Sequence, residues 1–341
     1  MPKRFSTKNL TTLDEPSATR SGVGIFEFTD DYSIFHFGKM PDRIPGKGEA
    51  CCRIAAFNFD LLARAGVRTH FRAFHPPDRI EFTLLRVVDP RERALGPGDV
   101  NHLVPLQVIF RNIVPEGSSV LRRLRLGRLT PSDIGLAETP RPGTVLASPV
   151  IEYTTKLEEI DRFVSRDEAG AVGGLDGPQL AALEERTRLV DEVVTAHARS
   201  VGLVHADGKV EFGRDAGGEL TLVDHAGTPD EARLLLDGAH VSKQVLRDHY
   251  AATGLQARVE EWVGAGRPRS TWPAPEPLQP EVVELVGEMY RSLCEVWTGS
   301  RVWGADDLDQ VVRRLANVVP GGLDASDGQE SAVLPRSPSW T

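Results

Sequence analysis

Asp207, Lys209 and Glu211 recur at every second position of the run Gly202-Leu-Val-His-Ala-Asp-Gly-Lys-Val-Glu-Phe-Gly213. On a strand, alternate side chains share a face, so the three would project to one side. The turn Asp215-Ala-Gly-Gly218 then folds the chain back through residues 220–223 and delivers Asp224 at a strand end close to Glu211. Two carboxylates brought together repel unless a cation lies between them. Mg2+ held by one or two carboxylates plus substrate phosphates answers that need. The same alternation also describes the solvent-facing edge of an ordinary hairpin.

A second group centres on Arg111, which leaves an apolar strand (Val108-Ile-Phe-Arg111-Asn112) for a loop with Gly117 and Ser118. A guanidinium offers a planar fork of donors suited to carboxylate or phosphate, although an Arg paired with a neighbouring acid would look the same. Lys243, Gln244, Arg247 and Asp248 fall on one helical segment, with Lys243 and Arg247 at i, i+4. Two like charges there are mildly unfavourable without an anion to share. Lys47 stands between two glycines in Ile44-Pro-Gly-Lys-Gly48, where the backbone can approach a ligand, but the P-loop spacing is absent. His36, His205 and His225 show no metal-ligand spacing, and His225 reads as a supporting or exposed residue. Cys51 and Cys52 read as small buried residues.

The elements that must carry these groups follow from pattern. Strands are expected at 8–13, 22–28, 32–37, 80–88 and 104–111, and a hairpin at 209–212 and 220–223. Helices are expected at 49–65, 179–200, 240–253 and 281–298; the second of these has Pro178 at its start and Leu180, Leu183, Leu189, Val190 and Val193 on one broad side. Mixed strands first and a helix-rich second half suggest an α+β arrangement of two lobes with a cleft between them. The expected division is an N-terminal nucleotide-binding lobe at 1–112, a substrate and metal lobe at 113–303, and an extension at 304–341 that is flexible from about residue 320.

Composition narrows the function classes. The 341 residues are 40% hydrophobic and 26% charged, the balance of a soluble globular protein. Lys+Arg 40 against Asp+Glu 49 gives a net charge of −9, which argues against nucleic acid or an anionic membrane as the main partner. No apolar run reaches membrane-spanning length, and the N-terminus lacks a signal-peptide core. Three cysteines, two of them adjacent, fit a reducing cytoplasm, and no Cys/His cluster suggests zinc.

Taken in order, several runs resemble the SAICAR synthetase family, the phosphoribosylaminoimidazole-succinocarboxamide synthases of purine biosynthesis. They are Phe28-Thr-Asp-Asp-Tyr-Ser-Ile-Phe35, Ile44-Pro-Gly-Lys-Gly-Glu49, Gly66-Val-Arg-Thr-His-Phe71 and Pro105-Leu-Gln-Val-Ile-Phe-Arg-Asn112. Thr155-Lys-Leu-Glu-Glu-Ile-Asp161, Asp207-Gly-Lys-Val-Glu-Phe-Gly213, Asp224 through Arg233, and Ser242-Lys-Gln-Val-Leu-Arg-Asp248 continue the series, which spans roughly residues 8–300. The resemblance implies a two-lobed fold with ATP in the cleft and an ATP- and Mg2+-dependent ligase. Such an enzyme activates the carboxylate of an aminoimidazole ribonucleotide-like molecule and joins it to the amine of aspartate or a similar amino acid. By position, Glu211 and Asp224 would hold Mg2+ and ATP phosphates, with Lys8 and Lys47 also at the nucleotide. Lys209 and Asp207 would be catalytic, orienting the carboxylate and the amine. Arg111, Ser118, Lys156, Asp161, Arg233, Lys243, Gln244 and Arg247 would bind the substrates, and a homo-oligomer is allowed.

Four departures bear on the substrate. The family's basic loop over the phosphates corresponds to Phe5-Ser6-Thr7-Lys8, which keeps one basic residue; the Glu after the metal-binding Asp is His225; Pro-Leu-Glu reads Pro105-Leu-Gln107; and an Asp or Asn is replaced by His36. Retained charge with altered neighbours implies a relative with a changed substrate in specialised nucleoside metabolism. The alternatives are the purine-pathway enzyme itself and a nucleotide-binding homologue without turnover.

Overall fold

A computed structural model describes residues 2–319, and the tail expected to be flexible from about residue 320 lies outside the described residues. The chain opens with β1 (Lys3–Arg4), β2 (Lys8–Asp14) and β3 (Gly22–Phe28), followed by the hairpin β4 (Asp31–Ile34) and β5 (Gly38–Arg43) and helix α1 (Lys47–Arg64). β6 (Phe71–His75) and β7 (Arg79–Leu84) complete an antiparallel sheet in the order β1-β2-β3-β7-β6.

A second sheet is built from β8 (His102–Leu103), β9 (Leu106–Val114), β10 (Thr144–Thr155), β11 (Phe163–Val164), β12 (Val204–Arg214), β13 (Leu220–Val223), β14 (Ala232–Leu236) and β15 (Ala239–His240). Its order is β11-β10-β9-β12-β14-β15, with β8 and β13 pairing to β12. Helices α2 (Ser119–Arg125), α3 (Arg166–Gly173) and α4 (Gly177–Ser200) interrupt these strands, and α5 (Gln244–Ala252), α6 (Leu255–Gly264), α7 (Pro280–Thr298) and α8 (Leu308–Val318) follow. The second half is helix-rich as expected, and the strand the sequence reading did not anticipate is β10, which runs for 12 residues. Its alternation is broken by Pro149 and by a register shift between Val145 and Val150, which hides the strand period. Strand β9 runs through position 112, and α8 packs on α7 with Leu308, Val311, Val312 and Leu315 buried.

Local chemistry explains the main elements. α4 starts in a capping box, with Asp176 accepting from the Gln179 amide and Gln179 reaching back to the Asp176 amide. α7 begins at Pro280 and stops at Gly299, whose φ of 68° closes the helix in the left-handed region. α4 packs on β12 and β9, α1 packs on α7, and one apolar core runs through all of them. The two sheets are tied by a parallel bridge between Thr69 and Leu222. No helix among the described residues is long and apolar enough to cross a membrane.

Candidate active site

β9 and β12 lie side by side with Asp207 paired to Arg111 and Lys209 to Ile109. Gly208 permits this approach, since a Cβ there would lie 2.3 Å from the Phe110 ring. Asp207, Lys209 and Glu211 all face one cavity of about 1000 Å3, as the alternation predicted. The first sheet contributes Lys8, Phe26 and Phe82 to the same cavity. The rings of Phe26 and Phe82 stack at 4.2 Å, so that side is apolar while the β9–β12 side is charged.

Asp207 sits between two arginines. Arg111 donates from Nη1 to Asp207 at 3.1 Å, from Nε to Glu152 at 2.6 Å and from Nη2 to Ser119 at 3.0 Å, and Arg233 donates to the same Asp207 oxygen. Burial alone would raise the Asp207 carboxyl, but Arg233 and Arg111 hold it below its ordinary range. Asp207, expected to orient the reacting groups, lines the cavity and also fixes the two guanidinium forks. Ser118 is buried at the cavity wall and caps α2, accepting from the Val120 amide.

Next along β12, Lys209 lies 2.8 Å from Glu231, and Lys156 donates to Glu211 at 2.5 Å. Burial pushes the Glu211 carboxyl up, against the opposing pull of Lys156. Glu211 is paired in register with Val223, and Asp224 follows at φ 61°, a left-handed backbone unusual for Asp. Asp224 accepts from Lys8, and although burial opposes it, Lys8 holds that carboxyl well below the usual range. The two acids are close enough for Asp224 to help push the Glu211 carboxyl up, and each also has its own lysine. Asp224 also converges with His225 and Glu231, the donor atoms of the three lying within 4.8 Å of one another. His225 is buried, not exposed, and burial pushes its imidazole down to about 4, with Lys8 adding to the effect.

The helix α5 end supplies the remaining cations. Arg233 donates from Nε to Gln244 at 2.9 Å, Gln244 donates to Asp248 at 2.7 Å, and Arg247 reaches Gln244 at 3.4 Å. Neither Lys243 nor Arg247 has a carboxylate within ion-pair distance among the described residues, and burial lowers both from their ordinary values. Asp161, at the cavity wall, accepts from Gln107 at 3.0 Å.

Lys47 is the expected nucleotide contact that the structure does not bring to the cavity. It points inward from the start of α1 to Asp230, at 2.6 Å, with Tyr290 donating to the other oxygen of the same carboxylate. A fully buried ammonium needs a partner, and that need decides its direction. Sequence reasoning missed Glu152, Glu231 and Asp230. Glu231 and Asp230 lie two and three residues before the retained Arg233, which is the signal that could have found them, whereas Glu152 sits on a strand the sequence did not disclose.

The SAICAR synthetase family profile matches residues 17–261. A phosphoribosylaminoimidazole-succinocarboxamide synthase of Thermoplasma acidophilum is 33% identical over 286 residues, covering 81% of this chain and 93% of its own. A protein of Archaeoglobus fulgidus, provisionally given that same enzyme name, is 38% identical over 330 residues, 92% of this chain and 99% of its own. Among solved structures, a type-2 SAICAR synthetase in complex with ADP matches the fold at a TM-score of 0.63 and 21% identity, over 89% of this chain and 99% of that one. A SAICAR synthase from Saccharomyces cerevisiae complexed with SAICAR also matches at 0.63, with 20% identity, over 88% of this chain and 95% of that one.

Proposed function

The chain belongs to the SAICAR synthetase family of ATP-dependent C–N ligases, and from that premise we propose that it catalyses the family's step of purine biosynthesis. In that step the carboxylate of a carboxylated aminoimidazole ribonucleotide is joined to the amine of aspartate at the expense of ATP. The relatives' names favour this reading, and nothing in them supports the changed substrate that the altered neighbours implied. The ADP and SAICAR held by the two solved relatives are the ligand types the cavity would take.

The observation that carries the reading is the polarity of the cavity. Its apolar end, at Phe26 and Phe82, suits a purine base, and Lys8 lies between that end and Asp224 where phosphates would follow. Elsewhere in the cavity Arg233, Lys243 and Arg247 crowd together, two of the three having no carboxylate partner among the described residues, which is an arrangement suited to a phosphate or carboxylates.

A carboxylate is a poor electrophile because oxide would have to leave, and phosphoryl transfer from ATP supplies a competent leaving group. Arg111, locked by Glu152, Asp207 and Ser119, would fix the acceptor with little reorganisation. Lys209, steadied by Glu231, would face the developing charge on the activated carboxylate. The donor set fits the metal that such chemistry uses: Asp224 and Glu211 are the carboxylates that would hold Mg2+, which when bound neutralises charge on the phosphates. Purified protein given MgATP, the carboxylated ribonucleotide and aspartate should release ADP and form the succinocarboxamide. No ADP release with that pair would overturn the assignment.

A further inference from the structure

Asp224, given above to Mg2+, also converges with two side chains that the ligase chemistry just described does not use as metal donors, His225 and Glu231. Asp224, His225 and Glu231 place an imidazole nitrogen and two carboxylate oxygens within 4.8 Å of one another. Each acid spends only one oxygen on a lysine: Lys8 meets Oδ1 of Asp224, and Lys209 meets Oε2 of Glu231. Oδ2 of Asp224 and Oε1 of Glu231 accept no hydrogen bond from any described residue. The His225 side chain belongs to a residue only 4% exposed. Its Nδ1 lies 2.9 Å from the Thr228 hydroxyl, whereas Nε2 has no hydrogen-bond partner among the described residues. An imidazole oriented through one nitrogen, with the other left over, is how a ligating histidine is normally held.

Charge and donor type point the same way. Two carboxylates and an imidazole match a divalent cation in donor type, the ion sharing each carboxylate with the lysine that already meets its other oxygen, and three protein donors leave further positions for water or phosphate. Mg2+ is served by oxygen alone, while Mn2+ and Co2+ accept imidazole nitrogen readily. Glu211 stands outside the set and is held by Lys156 at 2.5 Å.

We propose that Asp224, His225 and Glu231 form a divalent-cation site that selects Mn2+ or Co2+ over Mg2+ and shares Asp224 with the oxygen-only pair of Glu211 and Asp224. The three donors are in place without nucleotide or substrate, so the site can be tested separately from ligation although the two share Asp224.

The test uses the full chain, free of nucleotide, titrated with Mn2+ alone and followed by electron paramagnetic resonance. The expected result is loss of the free-ion signal at one equivalent, with nitrogen modulation from a bound imidazole in the pulsed spectrum. His225→Gln should abolish the nitrogen modulation and weaken Mn2+ by roughly tenfold or more, with little change in Mg2+ affinity measured by competition. Glu231→Gln should also weaken Mn2+ but keep the nitrogen modulation on the ion that still binds. Circular dichroism of both variants checks folding. Failure to bind Mn2+, bound Mn2+ without nitrogen modulation, or unchanged affinity in a folded His225→Gln protein would each overturn the proposal. Ligase activity enters none of these readouts, so failure here and failure of the proposed function are separate results.

Discussion

Arg111 and Asp207 face each other in register across β9 and β12, joined at 3.1 Å with both side chains buried. Three partners use the three nitrogens of the Arg111 fork, a geometry that a single ammonium cannot reproduce. Arg111→Lys should therefore lower stability by roughly 1.5–3 kcal/mol in urea melts, the worth of a charged hydrogen bond, because an ammonium gives up part of the fork while Arg233 still holds Asp207 and Arg123 still holds Glu152. It should also reduce kcat/KM by at least about tenfold, mainly through the acceptor. A variant with wild-type stability and kinetics would remove Arg111 from the site.

The crowding of Arg233, Lys243 and Arg247 makes a second prediction. Burial disfavours the charge on Lys243 and Arg247, so an incoming anion relieves a cost already present in the fold. Arg247→Ala should weaken the phosphorylated acceptor by roughly 2–4 kcal/mol and leave ATP binding near normal. Isothermal titration with each ligand separately distinguishes this from a general loss of the cavity.

Much of this site was legible in the sequence because its residues sit on short, regular strands. The alternation of Asp207, Lys209 and Glu211 predicted a shared face, and all three line the cavity. What escaped was set by partners distant in the chain. Lys47 turns away from the cavity because Asp230, 183 residues later, satisfies it. The α4 side expected to carry Leu180, Leu183, Leu189, Val190 and Val193 does pack on the core, with Leu189 and Val193 half-buried, but the structure also buries Val194 and Asp191 beside Val190. Asp191 can go inward because the Asn112 amide, on β9, donates to it at 2.7 Å, and apolar periodicity carries no sign of such a bond. Glu152 was invisible for a related reason, since a bulge and Pro149 disguised the strand that carries it.

Asp224 gives the most direct test of metal dependence. Lys8 neutralises it in the structure, and the Mg2+ carried by ATP would compete for the same carboxylate. Ligand binding raises apparent stability in proportion to the logarithm of saturation, about 2.7 kcal/mol at a hundredfold excess over Kd. MgATP should raise the Tm of the wild type, ATP with a chelator should raise it less, and Asp224→Asn should abolish the difference between the two. If the variant keeps the full Mg2+-dependent shift and releases ADP normally, Asp224 holds no metal.

Acid sensitivity follows from three buried imidazoles. Burial pushes His70, His225 and His240 down to about 4 from an ordinary 6.5. Between those values the unfolded chain binds protons that the folded chain refuses, so stability must fall as pH drops from 6.5 towards 4 and is unaffected by these groups above 6.5. Each contributes a slope of up to about 1.4 kcal/mol per pH unit. Asp248 acts in the opposite sense: burial raises its carboxyl to about 6, so below that pH the folded state takes up its proton first and gains. Below about pH 6 it therefore offsets roughly one of the three histidines. Urea melts at pH 7.5, 6.5 and 5.5 with chelator present should show a loss that begins at 6.5. His70→Gln can still donate to the Asp224 carbonyl that His70 Nε2 now meets at 3.1 Å. That variant should be less stable at pH 7.5, because Gln cannot replace a ring packed between Phe59 and Phe82. Its slope between pH 6.5 and 5.5 should nonetheless be shallower by about one proton's worth. An unchanged slope in a folded His70→Gln protein would show that the His70 ring is not held neutral by the fold.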